Sequence, residues 1–332
     1  MLWDFSIART FGLLARTWPY LLLRLFVFAL VSLVFLGTTA SGGYIGHRLG
    51  EMHDPGQAIQ WMLAGGAGGF GLASLIHFLV REYILYLVKA GHIAVMVELF
   101  DHGGLPEGDN QLAFGTRAVR ERFAEANALF AIDLLIRAAV KSIEKLLSSL
   151  ASFLPIPGLQ GVIGALNAVI ANSFNFVDEI ILAHNIRVRS ANPWETSRQA
   201  LVLYAQNGKA MIRNAVWLTL FQALLTITIA LLLIGPFAAT MVWMPGPNVG
   251  YAVVAAMIAA TYVKETLLEP FAVAALMQVY FAATEGQRPD PQWDRRLAEN
   301  SAQYREIAAR ARESGSSSRF GGENIAGGVA GG

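Results

Sequence analysis

Long apolar runs alternate along this chain with short polar turns and with arginine-rich blocks. Six such runs stand out, at residues 18–44, 58–80, 126–152, 160–185, 215–243 and 250–281. Each exceeds the roughly 20 apolar residues that carry a helix across a bilayer. Turn signals join them in pairs: His47 to Gly56, then Pro155-Ile156-Pro157-Gly158, then Pro245-Gly246-Pro247-Asn248. No ten-residue alternating segments suggest a barrel. The pattern predicts an all-α fold, a polytopic helical membrane protein with six transmembrane helices in three hairpins (residues 1–283). Between the hairpins, shorter polar segments predict cytosolic amphipathic helices. One carries Arg117, Arg120 and Arg122 behind a cap at Asp109 or Asn110, and a second follows Ser190 or Asn192 and Pro193. A third spans 284–313, and the Gly/Ser-rich residues 314–332 predict a disordered tail. The first run also admits a secretory signal, with small residues near Thr39-Ala40-Ser41, but it is longer than the ~7–15 apolar residues of such a signal.

Composition sharpens this picture. Apolar residues make up 55% of the 332 and charged residues only 15%, against about 25% in soluble domains. There is no cysteine, so disulfides and thiolate metal sites are excluded. A net charge of +1 argues against nucleic acid as a partner. The placement of the basic residues is more informative. Nineteen of the 25 Lys and Arg lie in the N-terminal segment, the 81–125 and 186–213 blocks and the tail, whereas the three intervening loops hold only Arg48. By the positive-inside rule both termini face the cytoplasm, which in a bacterium makes this an inner-membrane (plasma membrane) protein. A weak repeat fits the same map. Shifted by 87 residues, Pro106, Ala118 and Arg122 fall on Pro193, Ala205 and Lys209, and the segment after Pro291 echoes them. This is either a parallel repeat or the shared character of basic interfacial helices.

Charge inside the apolar runs marks the candidate chemistry. In the third run Asp133, Arg137, Lys141, Glu144 and Lys145 share one helical face. In the fourth, Asn167, Asn172, Asn175, Asp178 and Glu179 do the same. Folding the pair about Ile156 sets Arg137 level with Asn175 and Asp178, and Asp133 level with Glu179. Facing polar stripes form either a polar pathway or interhelical pairing, since a buried charge costs several kcal/mol unless paired or hydrated. The sixth run adds Lys264, Glu265 and Glu269, with a kink expected at Pro270. Arg137, Asn175, Asp178, Glu179, Glu265 and Glu269 are therefore the substrate-path candidates. Phe174, Phe176, Trp243 and Tyr251 offer aromatic faces to a cation, or form an interfacial belt. Gly65 with Gly69, and Ala67 with Gly71, give small-xxx-small spacing for close helix packing.

No catalytic constellation accompanies these residues. GxSxG, HExxH and phosphate-loop patterns are absent, His77 and His92 have no second ligand at metal spacing, and His184 is either an acid–base partner of Asp178 or a solvated interfacial side chain. No enzyme activity, cofactor or metal is expected. Two functions remain. One is movement of a small organic cation or lipid headgroup without ATP hydrolysis, and the other is a non-catalytic scaffold or assembly subunit with membrane-protein partners or further copies of itself.

From about His77 to Tyr304 the chain resembles the C-terminal half of the choline transporter-like family. FAIDLLIRAAVKSIEKL, SFNFVDEIILAHN, the stretch from Ser197 to Ile227 and YVKETLLEPFAVAALMQVYFAATEGQ carry the resemblance. It implies cytosolic termini and uptake or exchange of choline-like cations. The chain lacks that family's extra N-terminal spans, large first extracellular loop and cysteines, and it has Lys264, Glu265 and Glu269 where the family is apolar. The Pro193-to-Ala200 pattern also resembles uncharacterised six-span bacterial membrane proteins.

Overall fold

The computed structural model describes residues 3–80, 86–122, 131–141, 169, 171–189, 191–240 and 248–326. These are helical almost throughout, without a strand among them. Four helices are long and apolar enough to cross a bilayer: Trp18–His53, Pro55–Ile76, Gly208–Ala239 and Ala255–Thr284. Of the expected third and fourth spans, residues 131–141 and 171–185 are helical and most of the remainder lies outside the described residues.

The chain divides into two compact units, residues 18–92 and residues 1–17 with 93–332. In the first, helices α2 (Trp18–His53) and α3 (Ala58–Val80) form an antiparallel hairpin. Its turn is closed by Asp54, whose carboxylate accepts from the Gly56 N–H at 3.1 Å and the Gln57 amide at 2.7 Å. The α2 helix is 36 residues long, about 54 Å at 1.5 Å per residue, so it outreaches the ~30 Å hydrocarbon core. Glycine lets the helices touch through backbone. A Cβ on Gly65 would collide with the Gly42 carbonyl oxygen, and one on Gly69 with that of Thr38. At Gly71 nothing lies within 4 Å. Two residues past Gly69 is about 200° around the helix, so Gly71 faces away and takes no part in the packing expected of it.

The second unit is built around helix α11 (Glu269–Thr284), whose residues Pro270 to Phe281 are all buried. A helix apolar on every side belongs in lipid or in a protein core, and here the walls are protein. Helix α1 (Ile7–Arg16) packs on it through Phe11 and Phe271, ring centres 4.9 Å apart. The Gln278 amide donates to the Thr10 hydroxyl at 2.7 Å. Helices α7 (Val177–Val188) and α8 (Pro193–Gln206) meet it at Tyr280, whose hydroxyl lies 3.2 Å from His184 Nδ1 and 3.4 Å from the Ala200 carbonyl. Helix α4 (Tyr86–His102) adds Phe100 against Phe281 at 5.5 Å. The second half of the expected sixth span is thus the core of a helical bundle.

Three helices end in a turn with a left-handed residue. Gly103 (φ 71°) directly follows His102 and Arg189 (φ 55°) directly follows Val188, whereas extended Glu285 separates Thr284 from Gly286 (φ 69°) in a turn closed by the Gln287 N–H on the Thr284 carbonyl at 3.0 Å. A capped helix starts after each. Asn110 caps α5 (Gln111–Arg122), Asn192 caps α8, and Asp290 caps α12 (Pro291–Asn300). The short helices α1 and α8 also break alike before the long helices that follow. Thr17 (φ −98°, ψ 22°) and Asn207 (φ −98°, ψ 16°) each turn the chain in one residue. Helix α13 (Ala302–Ala326) carries the chain on through much of the stretch expected to be a disordered tail; residues 327–332 lie outside the described residues.

Candidate functional site

Two polar clusters sit within the apolar helices. The first joins α6 (residues 131–141) to α7. Arg137 Nε lies 2.9 Å from Asp133 Oδ2 on its own helix and 3.0 Å from Asp178 Oδ2 on the other. The two carboxyl groups are also within hydrogen-bonding reach of each other. Arg137 thereby meets the aspartate that the fold-back sets level with it, while Asp133 meets Asp178 rather than Glu179. Asp133 is buried and Arg137 about half exposed, so the charge enters the cluster from its rim. Glu179 is buried at 6% exposure, one position round the helix, and Asn175 is exposed. Lys141 is exposed too, while Glu144, Lys145 and Asn167 lie outside the described residues.

The second cluster lies between α10 (Asn248–Val263) and α11. Residues Lys264–Leu268 form a single π turn, in which the Glu269 N–H reaches back five residues to the Lys264 carbonyl. Pro270 follows at once. It has no N–H for the Thr266 carbonyl four residues earlier, so the α ladder is interrupted. The kink expected at Pro270 is accordingly taken up by an inserted residue. Lys264 Nζ pairs with Glu265 Oε1 at 3.0 Å, and the Glu265 and Glu269 carboxyls are within hydrogen-bonding reach of each other. Gln222, on α9 (Gly208–Thr240), donates to the Leu268 carbonyl at 2.6 Å, beside the interrupted ladder. The fifth run reads as uncharged, and the signal for this role is its lone amide among aliphatic residues.

Each cluster sets two carboxyl groups around one basic side chain, a formal charge of −1 when all are ionised. Such an arrangement can hold one proton or one cation among groups already in contact. No family model, curated protein or solved structure matches the chain. The clusters therefore have to be read from their own chemistry. Phe174 and Phe176 are buried, and Trp243 and the Tyr251 side chain lie outside the described residues. His184 turns to Tyr280, so it forms no acid–base pair with Asp178. His92 is buried and stacks flat on Tyr20, ring centres 5.2 Å apart. Among the described residues no three His, Asp or Glu converge as metal ligands.

Proposed function

We propose that this chain is a six-span bacterial inner-membrane protein in three hairpins, both termini cytosolic, that moves a small organic cation without ATP hydrolysis. The observation that carries this reading is the pair of matched clusters, each setting two carboxyl groups around one basic side chain and one of them seated on a π turn next to proline. Interrupted helices of this kind supply ion and substrate sites in transporters, because the broken ladder offers polar backbone where lipid offers none. The resemblance to choline transporter-like proteins supplies the substrate class, a choline-like cation or a lipid headgroup bearing one.

A second reading has its own support. Arg137 and Lys264 are both paired, and the core around α11 packs like a soluble bundle, which suits a scaffold or assembly subunit. Uptake of radiolabelled choline and its analogues into proteoliposomes separates the two. Transport predicts saturable uptake that Asp178→Asn and Glu265→Gln each abolish, with expression and unfolding midpoint kept. Uptake no greater than in empty vesicles, or unchanged in both variants, sinks the transport reading and leaves the scaffold.

A further inference from the structure

A polar cleft of about 220 Å³ opens between α4, α5 and the end of α7. It exceeds the ~150 Å³ cavity that admits a benzene-sized guest. Its floor is acidic. Glu98 is 8% exposed, and Asp101 lies one helical turn on. Its rim is basic, with Arg187 and Arg189 from the α7 end and Arg117 from α5. Glu121 and His102 also line the cleft, His102 with its Nδ1 3.2 Å from Glu98 Oε1, so carboxylates and basic groups are segregated within it. Arg187 is fixed in place by Asp101 at 2.8 Å and by the Phe281 ring, 4.2 Å beneath it. Arg189 reaches Glu98 at 2.8 Å yet stays largely exposed.

The backbone at Arg189 points to use of its side chain. This left-handed position directly follows the helix, and at the end of α4 the equivalent position is filled by Gly103. An arginine there holds a conformation that disfavours a Cβ, and strain kept at one copy of a motif marks function. We infer that the cleft binds a small zwitterion with a primary ammonium at one end and a phosphate at the other. The ammonium sits by Glu98 and Asp101, and the phosphate takes the guanidinium donors of Arg187 and Arg189 beyond those already given to Asp101 and Glu98, while the Arg117 fork is held by Asp109. The acidic floor and the basic rim match a ligand whose opposite charges stand at its two ends. Among the described residues Phe114 is the one benzenoid ring in the lining, which favours a primary ammonium, able to donate hydrogen bonds to the carboxylates, over a quaternary one that needs an aromatic cage. Phosphoethanolamine carries this chemistry, free or as a lipid headgroup. The site stands apart from the membrane clusters and does not rest on the transport reading.

The test is the unfolding midpoint of the purified full chain, since a ligand that binds the folded state raises it by mass action. Free phosphoethanolamine in detergent is compared with phosphocholine, and nanodiscs of phosphatidylethanolamine with nanodiscs of phosphatidylcholine. A saturable shift with free phosphoethanolamine identifies a soluble ligand, and a shift confined to the ethanolamine nanodiscs identifies the headgroup. In whichever arm responds, R189G weakens binding about tenfold or more through loss of a charge-assisted contact. The same variant relieves the left-handed backbone, so its ligand-free midpoint stays level or rises, which keeps misfolding from mimicking the result. No shift in any arm, an equal shift with the choline compounds, or unchanged binding by R189G overturns the proposal.

Discussion

Alanine at Gly65 tests the backbone contact that joins α2 and α3. A Cβ there would overlap the Gly42 carbonyl oxygen and lie 3.0 Å from both the Gly42 carbonyl carbon and the Gly46 Cα. All three are backbone, so no side chain can swing aside and the helices themselves must part. A gap of ~1 Å forfeits about half of each dispersion well along the contact. Between lipid-embedded helices that loss is felt directly, because no hydrophobic effect drives them together. Forced overpacking costs about 1–3 kcal/mol. Gly68 is the control. Nothing lies within 4 Å of its Cβ position, so alanine there keeps only the helix-propensity gain of about 1 kcal/mol. That gain is common to both variants, so they should differ by the overpacking cost of roughly 1–3 kcal/mol, with Gly65→Ala the less stable. Reversible unfolding in mixed micelles titrated with dodecyl sulfate measures the difference. Equal stability of the two variants would refute direct backbone contact at this position.

Glu195 gives a prediction in pH. Hydrogen bonds from Arg198 at 2.8 and 2.9 Å hold its carboxyl below the ordinary glutamate value of 4.5, against partial burial, with Gln199 assisting. A depressed folded value means stabilisation present above pH 4.5 and lost as pH falls through it. Thermal melts of Glu195→Gln should be less stable than wild type at neutral pH and converge with it in acid; a constant gap at every pH would contradict this. Gln222→Leu removes the donor to the Leu268 carbonyl beside the π turn and should cost about 1–3 kcal/mol. A neutral result in the same micelle titration would show that the carbonyl does not need this donor.

How far the sequence reveals the fold depends on what each feature leaves in composition. Long apolar runs are legible because lipid demands about 20 residues whatever they pack against. The turn at Asp54 and the capped starts after Asn110, Asn192 and Asp290 are legible because capping needs a short polar side chain. Arg137 meets Asp178 because two charges in facing apolar helices have few other partners. The interior of α11 is not legible as such. Ala272 to Phe281 reads as a span because apolar residues face lipid and protein alike. The π turn is hidden too, for one inserted residue changes no pattern and only Pro270 hints at it. Nor do single-residue breaks at Thr17 and Asn207 show, since apolar residues continue on both sides.

The seat of α1 on α11 sets an order of events during synthesis. Thr10 and its partner Gln278 are 268 residues apart, so at ~5–20 residues per second the first waits roughly 13–54 s for the second to be made. Through that interval α1 has its apolar face, Phe11 included, and no protein to cover it. An amphipathic basic helix in that position lies on the membrane surface as its first resting place. Its departure from the lipid to clasp α11 then closes the bundle, making the oldest part of the chain the last to settle.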